Sequence, residues 1–197
     1  MILFDPDLAP HPAPAATVKK SVATPPPDTT DRRHRLPSAR TLSRFLGEAQ
    51  AAVRLRGQVT VLLTTDQAIR SLNRRFRGKN KSTDVLSFPA GGPVAGEMAG
   101  DLAISVPTAS RQAAEQGHAL SIEIKVLMLH GLLHLAGYDH EIDEGQMGRR
   151  ERLLRGRLRL PQGLIERADA LPGRVPKRTP AKPMRKDAKR PARGAKP

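Results

Sequence analysis

His130-Gly131-Leu132-Leu133-His134-Leu135-Ala136-Gly137-Tyr138-Asp139-His140 is the stretch around which the rest of the chain is read. On a helix, His130 and His134 stand one turn apart on one face. That spacing lets two imidazoles converge on one metal ion. Gly137 suits the left-handed backbone that ends a helix, after which the chain can turn back and offer His140. Three nitrogen ligands leave one position open on a tetrahedral zinc, and an open position separates a catalytic site from a structural one. His130, His134 and His140 are therefore the candidate metal ligands, for one Zn2+ ion.

A histidine pair at this spacing also suits two satisfied core side chains. The surroundings decide between the readings. Val126-Leu127-Met128-Leu129, followed by Leu132, Leu133, Leu135 and Ala136, is apolar nearly all round and marks a buried helix. Imidazoles inside it need partners, because an unpaired buried polar group costs on the order of 1–3 kcal/mol. A metal supplies them. The ligand spacing is that of metzincin peptidases, yet the position of their catalytic glutamate is Gly131, which has no side chain. Peptide hydrolysis is disfavoured accordingly.

Working outward, Ser38 is placed to cap an amphipathic helix carrying Leu42, Phe45, Leu46, Ala49 and Val53. Alternation of Val59, Val61 and Leu63 with Thr60, Leu62 and Thr64 predicts a strand over 58–64. Thr65 caps a second helix with an Ile69, Leu72 and Phe76 stripe and arginines on another face. Strands are expected at 85–88, stopped by Pro89, and at 102–105. A helix opened by Pro107 follows, Ser121 caps the histidine helix, and a charged helix runs from Glu141 to about Leu158. Strands and helices are mixed, with two strands in succession. The expected fold class is α+β, a small mixed β-sheet packed with helices around a central metal-bearing helix, its ligands arranged as in zincins.

The 197 residues make one domain with tails: an arm over 1–35, a folded domain over 36–172 and a tail over 173–197. The arm is rich in proline and expected to be poorly ordered. Of the formal charge of +15, the tail carries +9, from ten basic residues and one acidic. It is expected to be disordered, and either raises affinity for polyanions such as RNA or only solubilises. There is no cysteine, which excludes disulfides and thiolate ligands. The N-terminus has no signal-peptide pattern and no apolar run spans a bilayer, so a cytoplasmic protein without a membrane partner is expected.

A second constellation runs from Leu72 to Pro89, L-N-R-R-F-R-G-K-N-K-S-T-D-V-L-S-F-P. It gathers basic groups around a loop that leads to a strand. The planar fork of arginine holds two phosphate oxygens at once, so Arg77 is the candidate catalytic and substrate-binding residue, with Lys79 as a second phosphate contact. A solvated basic helix face is the plainer reading of the same residues.

This run, then A-G-D-L-A-I-S, then H-G-L-L-H-L-A-G-Y-D-H, resembles in order and spacing the YbeY family of bacterial rRNA-maturation endoribonucleases. The resemblance covers roughly residues 57–157. It implies that His130, His134 and His140 match the zinc ligands and that Arg77 matches the family's functional arginine. It also implies a metal-dependent cut in single-stranded RNA, with roles in forming the 3′ end of small-subunit rRNA and in ribosome quality control. The ribosomal subunit or its assembly factors are the partners implied. The chain departs from the family in its long arm, its basic tail and its loop, where Asn80 stands in place of an acidic residue and Ser82 in place of a proline.

Gly131 cannot be a general base, so Asp139 and Asp101 are the carboxylates considered for orienting a ligand or a water. His11, His34 and His118 receive no role. Aromatics are scarce and no stacking row is evident, so RNA binding is expected to rest on phosphates and shape. Two rivals remain, a zinc peptidase and a non-catalytic ribosome-assembly factor whose metal braces the fold.

Overall fold

The structure is a computed structural model that describes residues 1–8, 35–91, 97–140 and 142–161. Its helices are α1 (Ala39–Val53), α2 (Asp66–Arg77), α3 (Val106–Glu115), α4 (Leu120–Leu135) and α5 (Gln146–Arg157). Its strands are β1 (Ile2–Phe4), β2 (Gln58–Thr64), β3 (Val85–Pro89) and β4 (Met98–Ser105), in the sheet order β1-β2-β4-β3. β1, β2 and β4 are parallel, whereas β3 returns directly into β4 and pairs antiparallel along the edge. The sheet is therefore mixed and the fold is α+β.

Local chemistry sets the helix starts. The Ser38 hydroxyl accepts from the Thr41 N–H at 3.3 Å and that of Thr65 from the Ala68 N–H at 3.2 Å. Each pairs one of the amides that a first turn leaves unsatisfied. The apolar stripe of α1 is buried along its length, at Leu42, Phe45, Leu46, Ala49 and Val53.

Alternation along the strands divides the core. Val59, Val61, Leu63, Leu102 and Ile104 pack with α1, α4 and α5 on one face of the sheet, while Leu86 and Ala103 meet Ile69 of α2 on the other. α4 is buried nearly all round, as its continuous apolar sequence requires.

The sheet begins earlier in the chain than the sequence reading places it. Ile2, Leu3 and Phe4 pair with Val61, Leu62 and Leu63, so the first residues of the expected arm belong to the sheet. The remainder of the arm, over 9–34, and the basic tail lie outside the described residues. Two helix starts also differ. α4 starts after Ala119, not Ser121, because Leu120 is drawn into the core at 3% exposure. α5 starts at Gln146, not Glu141, because the Asp143 carboxylate accepts from the Gly145 and Met147 N–H groups at 2.7 and 2.6 Å and stabilises a turn. None of the helices among the described residues is long and apolar enough to cross a membrane.

Candidate metal centre

α4 ends as its sequence suggests. Gly137 takes φ +88°, its N–H donates to the His134 carbonyl, and the Tyr138 N–H donates back to Leu133. This pair of bonds is a Schellman cap. It turns the chain so that His140 returns to the two histidines of the helix.

The three rings converge. His130 and His134 have their Nε2 atoms 3.2 Å apart, and the ring centroids are separated by 4.8, 5.4 and 5.3 Å. One nitrogen from each of the three lies within 4.8 Å of the others. Two nitrogens bound at about 2.0–2.1 Å to one tetrahedral ion stand roughly 3.3 Å apart, so the spacing of His130 and His134 fits zinc. His140 adds a buried Nδ1 that has no hydrogen-bond partner among the described residues. Three convergent imidazoles with an unpaired nitrogen are the donor set of a three-ligand metal site.

Electrostatics favour the neutral form of the His134 ring. Burial first, and then the charges of His130 and His140, lower the His134 pKa from 6.5 to about 4, although the Asp139 carboxylate works in the opposite direction. The His134 lone pair is thus available at neutral pH.

A residue that the sequence reading missed orients the first ring. Glu151 of α5, 2% exposed, has its Oε2 3.2 Å from His130 Nδ1. Its other oxygen accepts from Arg155, itself 1% exposed, whose second amino group donates to the Pro161 carbonyl at 2.8 Å. Burial opposes a charge on Glu151, but the hydrogen bond and charge of His130, with those of Arg155, prevail and hold its carboxyl below the usual range. A proton on Nδ1 facing this carboxylate leaves the Nε2 lone pair turned toward the cluster. Met147, Glu151, Leu154 and Arg155 follow one helical stripe and are all buried. Two charged residues in core positions of that stripe were the signal available in the sequence.

Gly131 has a packing reason. A Cβ there would come within 2.7 Å of the buried Leu102 side chain and 3.3 Å of Ser87 Oγ, so α4 lies directly on the sheet at this point. There is no room for a peptidase glutamate.

The other candidates are distributed unevenly. Asp139 bears on His134 through its charge. Asp101 is exposed and follows Gly100 beside Leu102; since Leu102 faces Gly131, alternation turns Asp101 to the other side of the sheet, away from the histidines. This corrects the sequence reading. His118 lies 3.0 Å from the buried Glu123 at the start of α4, outside the cluster. Arg77 and Lys79 are both exposed, at the end of α2 and in the loop after it. Asn73 and Arg70 fold that loop back on α2, donating to the Lys81 carbonyl at 2.6 Å and to Asn80 Oδ1 at 2.9 Å. The structure brings the three histidines together, whereas Arg77 and Lys79 stand at the end of α2, which packs through Ile69 against Leu86 and Ala103, and in the loop after it. No hydrogen bond or ion pair among the described residues joins the two groups.

The sequence model described as Endoribonuclease YbeY matches residues 30–158. The chain is similar to the Endoribonuclease YbeY of Koribacter versatilis, 52% identical over 153 residues that cover 78% of this chain and 91% of that one. It is 49% identical to the Endoribonuclease YbeY of Solibacter usitatus over 129 residues, 66% of this chain and 85% of that one. A solution structure of the Thermotoga maritima protein TM1509 aligns with a TM-score of 0.45 at 24% identity, covering 73% of this chain and 96% of that chain.

Proposed function

The chain belongs to the YbeY family of endoribonucleases, and on that premise we propose that it is a zinc-dependent hydrolase that cuts single-stranded RNA, acting in the cytoplasm on the 3′ end of small-subunit rRNA. The observation that carries the metal-dependent reading is the convergence of His130, His134 and His140, with no fourth ligand grouped with them among the described residues.

His130, His134 and His140 hold the ion. Zinc in such a site supplies Lewis acidity toward a phosphate oxygen and toward a water. The protein's own groups do the rest. Glu151 and Arg155 keep the His130 ring in its ligating orientation. Arg77 and Lys79 bind phosphate, and Arg77, reaching past the β3 edge, offsets the negative charge that builds on the phosphoryl oxygens in the transition state. Asp139, the carboxylate whose charge reaches His134, orients the attacking group. The ribosomal subunit or an assembly factor presents the strand, because phosphate contacts carry little sequence information.

The test is cleavage of a labelled single-stranded RNA ending in a small-subunit rRNA 3′ sequence, alone and within small ribosomal subunits. The expected result is metal-dependent cutting that His134→Ala abolishes and that a folded Arg77→Glu variant slows by about 100-fold, the size of effect seen when one transition-state charge partner is removed. No cutting by zinc-loaded protein on either substrate would favour a non-catalytic assembly factor whose metal braces the fold. A zinc-tracking peptidase activity would favour the peptidase reading, against which the crowding at Gly131 speaks.

A further inference from the structure

We propose that Phe76 is a stacking platform for one nucleobase of the bound RNA, set across edge strand β3 from the histidines. This rests on the RNA reading above and adds to it a contact to a base, where only phosphate contacts were expected.

Phe76 is 56% exposed, although it continues the stripe of α2 on which Ile69 is buried and Leu72 partly buried. Its ring is held in place. Phe88 meets it edge-on with centroids 5.2 Å apart and planes at 66°, and the Arg75 guanidinium lies 5.2 Å from its centroid. The surroundings are suited to a polyanion. Between Gln67 and Thr83 there are six basic residues and no acidic one. Arg70, Arg74, Arg75, Arg77, Lys79 and Lys81 are all exposed. Phosphate binding alone has no use for an exposed aromatic ring. A ring held by an edge-on phenylalanine, with a guanidinium over one face and much of its surface open to solvent, suits a stacked base, because every base has a π-face and the backbone brings its charge to the same place.

Position links this platform to the metal site. Ser87 and Phe88 are neighbours on β3 and point to opposite faces of the sheet. The Ser87 hydroxyl donates to the Gly131 carbonyl at 3.4 Å, next to His130, while Phe88 supports Phe76. A strand that crosses the β3 edge would run from one to the other.

The chain contains no tryptophan, so Phe76→Trp installs a single indole at the proposed contact. The full-length variant is titrated with a short adenosine-rich single-stranded oligoribonucleotide. A parallel titration uses a base-free sugar–phosphate oligomer of equal length, and binding is followed independently by anisotropy of a label on the oligomer. The expected result is quenching of the indole by the RNA and none by the base-free oligomer. Phe76→Ala is expected to lose roughly 5- to 150-fold in RNA affinity, the range of one stacked base, with little change toward the base-free oligomer. RNA binding by Phe76→Ala equal to the unaltered protein, or an indole unmoved at saturation, would overturn the stacking while leaving phosphate binding intact, and would leave the patch to a protein partner. Failure of the unaltered protein to bind either oligomer would overturn the RNA reading and the stacking with it.

Discussion

At the scale of single residues, Glu151 and Gly131 explain most about the site. Glu151 is buried and, among the described residues, meets the histidine cluster through the His130 ring. Removing a carboxylate that orients a ligating imidazole costs about 10–100-fold in metal affinity. Glu151→Ala should therefore weaken zinc binding by that factor in competition with a chromophoric chelator. Glu151→Gln, whose one amide oxygen can still accept from Nδ1 while its NH2 faces Arg155, should recover part of the loss; equal affinity in all three proteins would leave Glu151 a packing residue. Gly131→Glu completes the peptidase-type sequence but drives a carboxylate into Leu102 and Ser87. Overpacking and an unpaired buried charge together should destabilise the fold by about 3 kcal/mol or more, seen as a lower Tm, with no peptidase activity gained. The histidines were legible because their spacing is local. Glu151 was not, since its partner lies 21 positions away and only folding brings α5 against α4.

At the scale of elements, the junction between α2 and α3 has its own device. Asp66 at the start of α2 accepts from Ser105 and, at 2.6 Å, from Thr108, while Arg111 approaches its other oxygen at 3.1 Å. Burial opposes the charge, but these three partners outweigh it and lower the Asp66 pKa. A carboxylate with a depressed folded pKa stabilises above its unfolded value, near pH 4, and loses that contribution as pH falls through the folded value. Asp66→Ala should lower stability by about 1–3 kcal/mol at neutral pH. Its acid-unfolding curve should also be flatter below pH 4 than that of the unaltered chain. Parallel curves would contradict the role given to Asp66. Helix caps at Ser38 and Thr65 and the alternation of β2 were readable because each is decided within a few residues. β1 was missed because three apolar residues before a proline-rich stretch carry no signal of their own. Their partners in β2 are 59 positions distant. The true start of α4 was hidden because burial of Leu120 outranked the capping propensity of Ser121.

At the scale of the whole molecule, the sheet separates two jobs. One face carries α4 and the histidines, the other carries α2 and its exposed basic groups, and β3 is the thin edge between them. If the six basic residues of α2 and its loop all meet phosphates, the logarithm of single-strand affinity should fall against the logarithm of salt with a slope of about −4. A flat response would remove that surface from RNA binding. The motifs of both faces were visible in the sequence. Their placement on opposite sides of one strand was not, because it depends on β3 returning antiparallel at the edge.

The measurement that bears most directly on the three-histidine centre is zinc added stepwise to chelator-stripped, full-length protein while the initial rate of single-stranded RNA cleavage and the Tm are both followed. Both should rise together and level off at one ion per chain, and His140→Ala should show neither rise. Cleavage that survives stripping unchanged, or that returns in His140→Ala as fully as in the unaltered protein, would contradict a metal-dependent nuclease built on His130, His134 and His140.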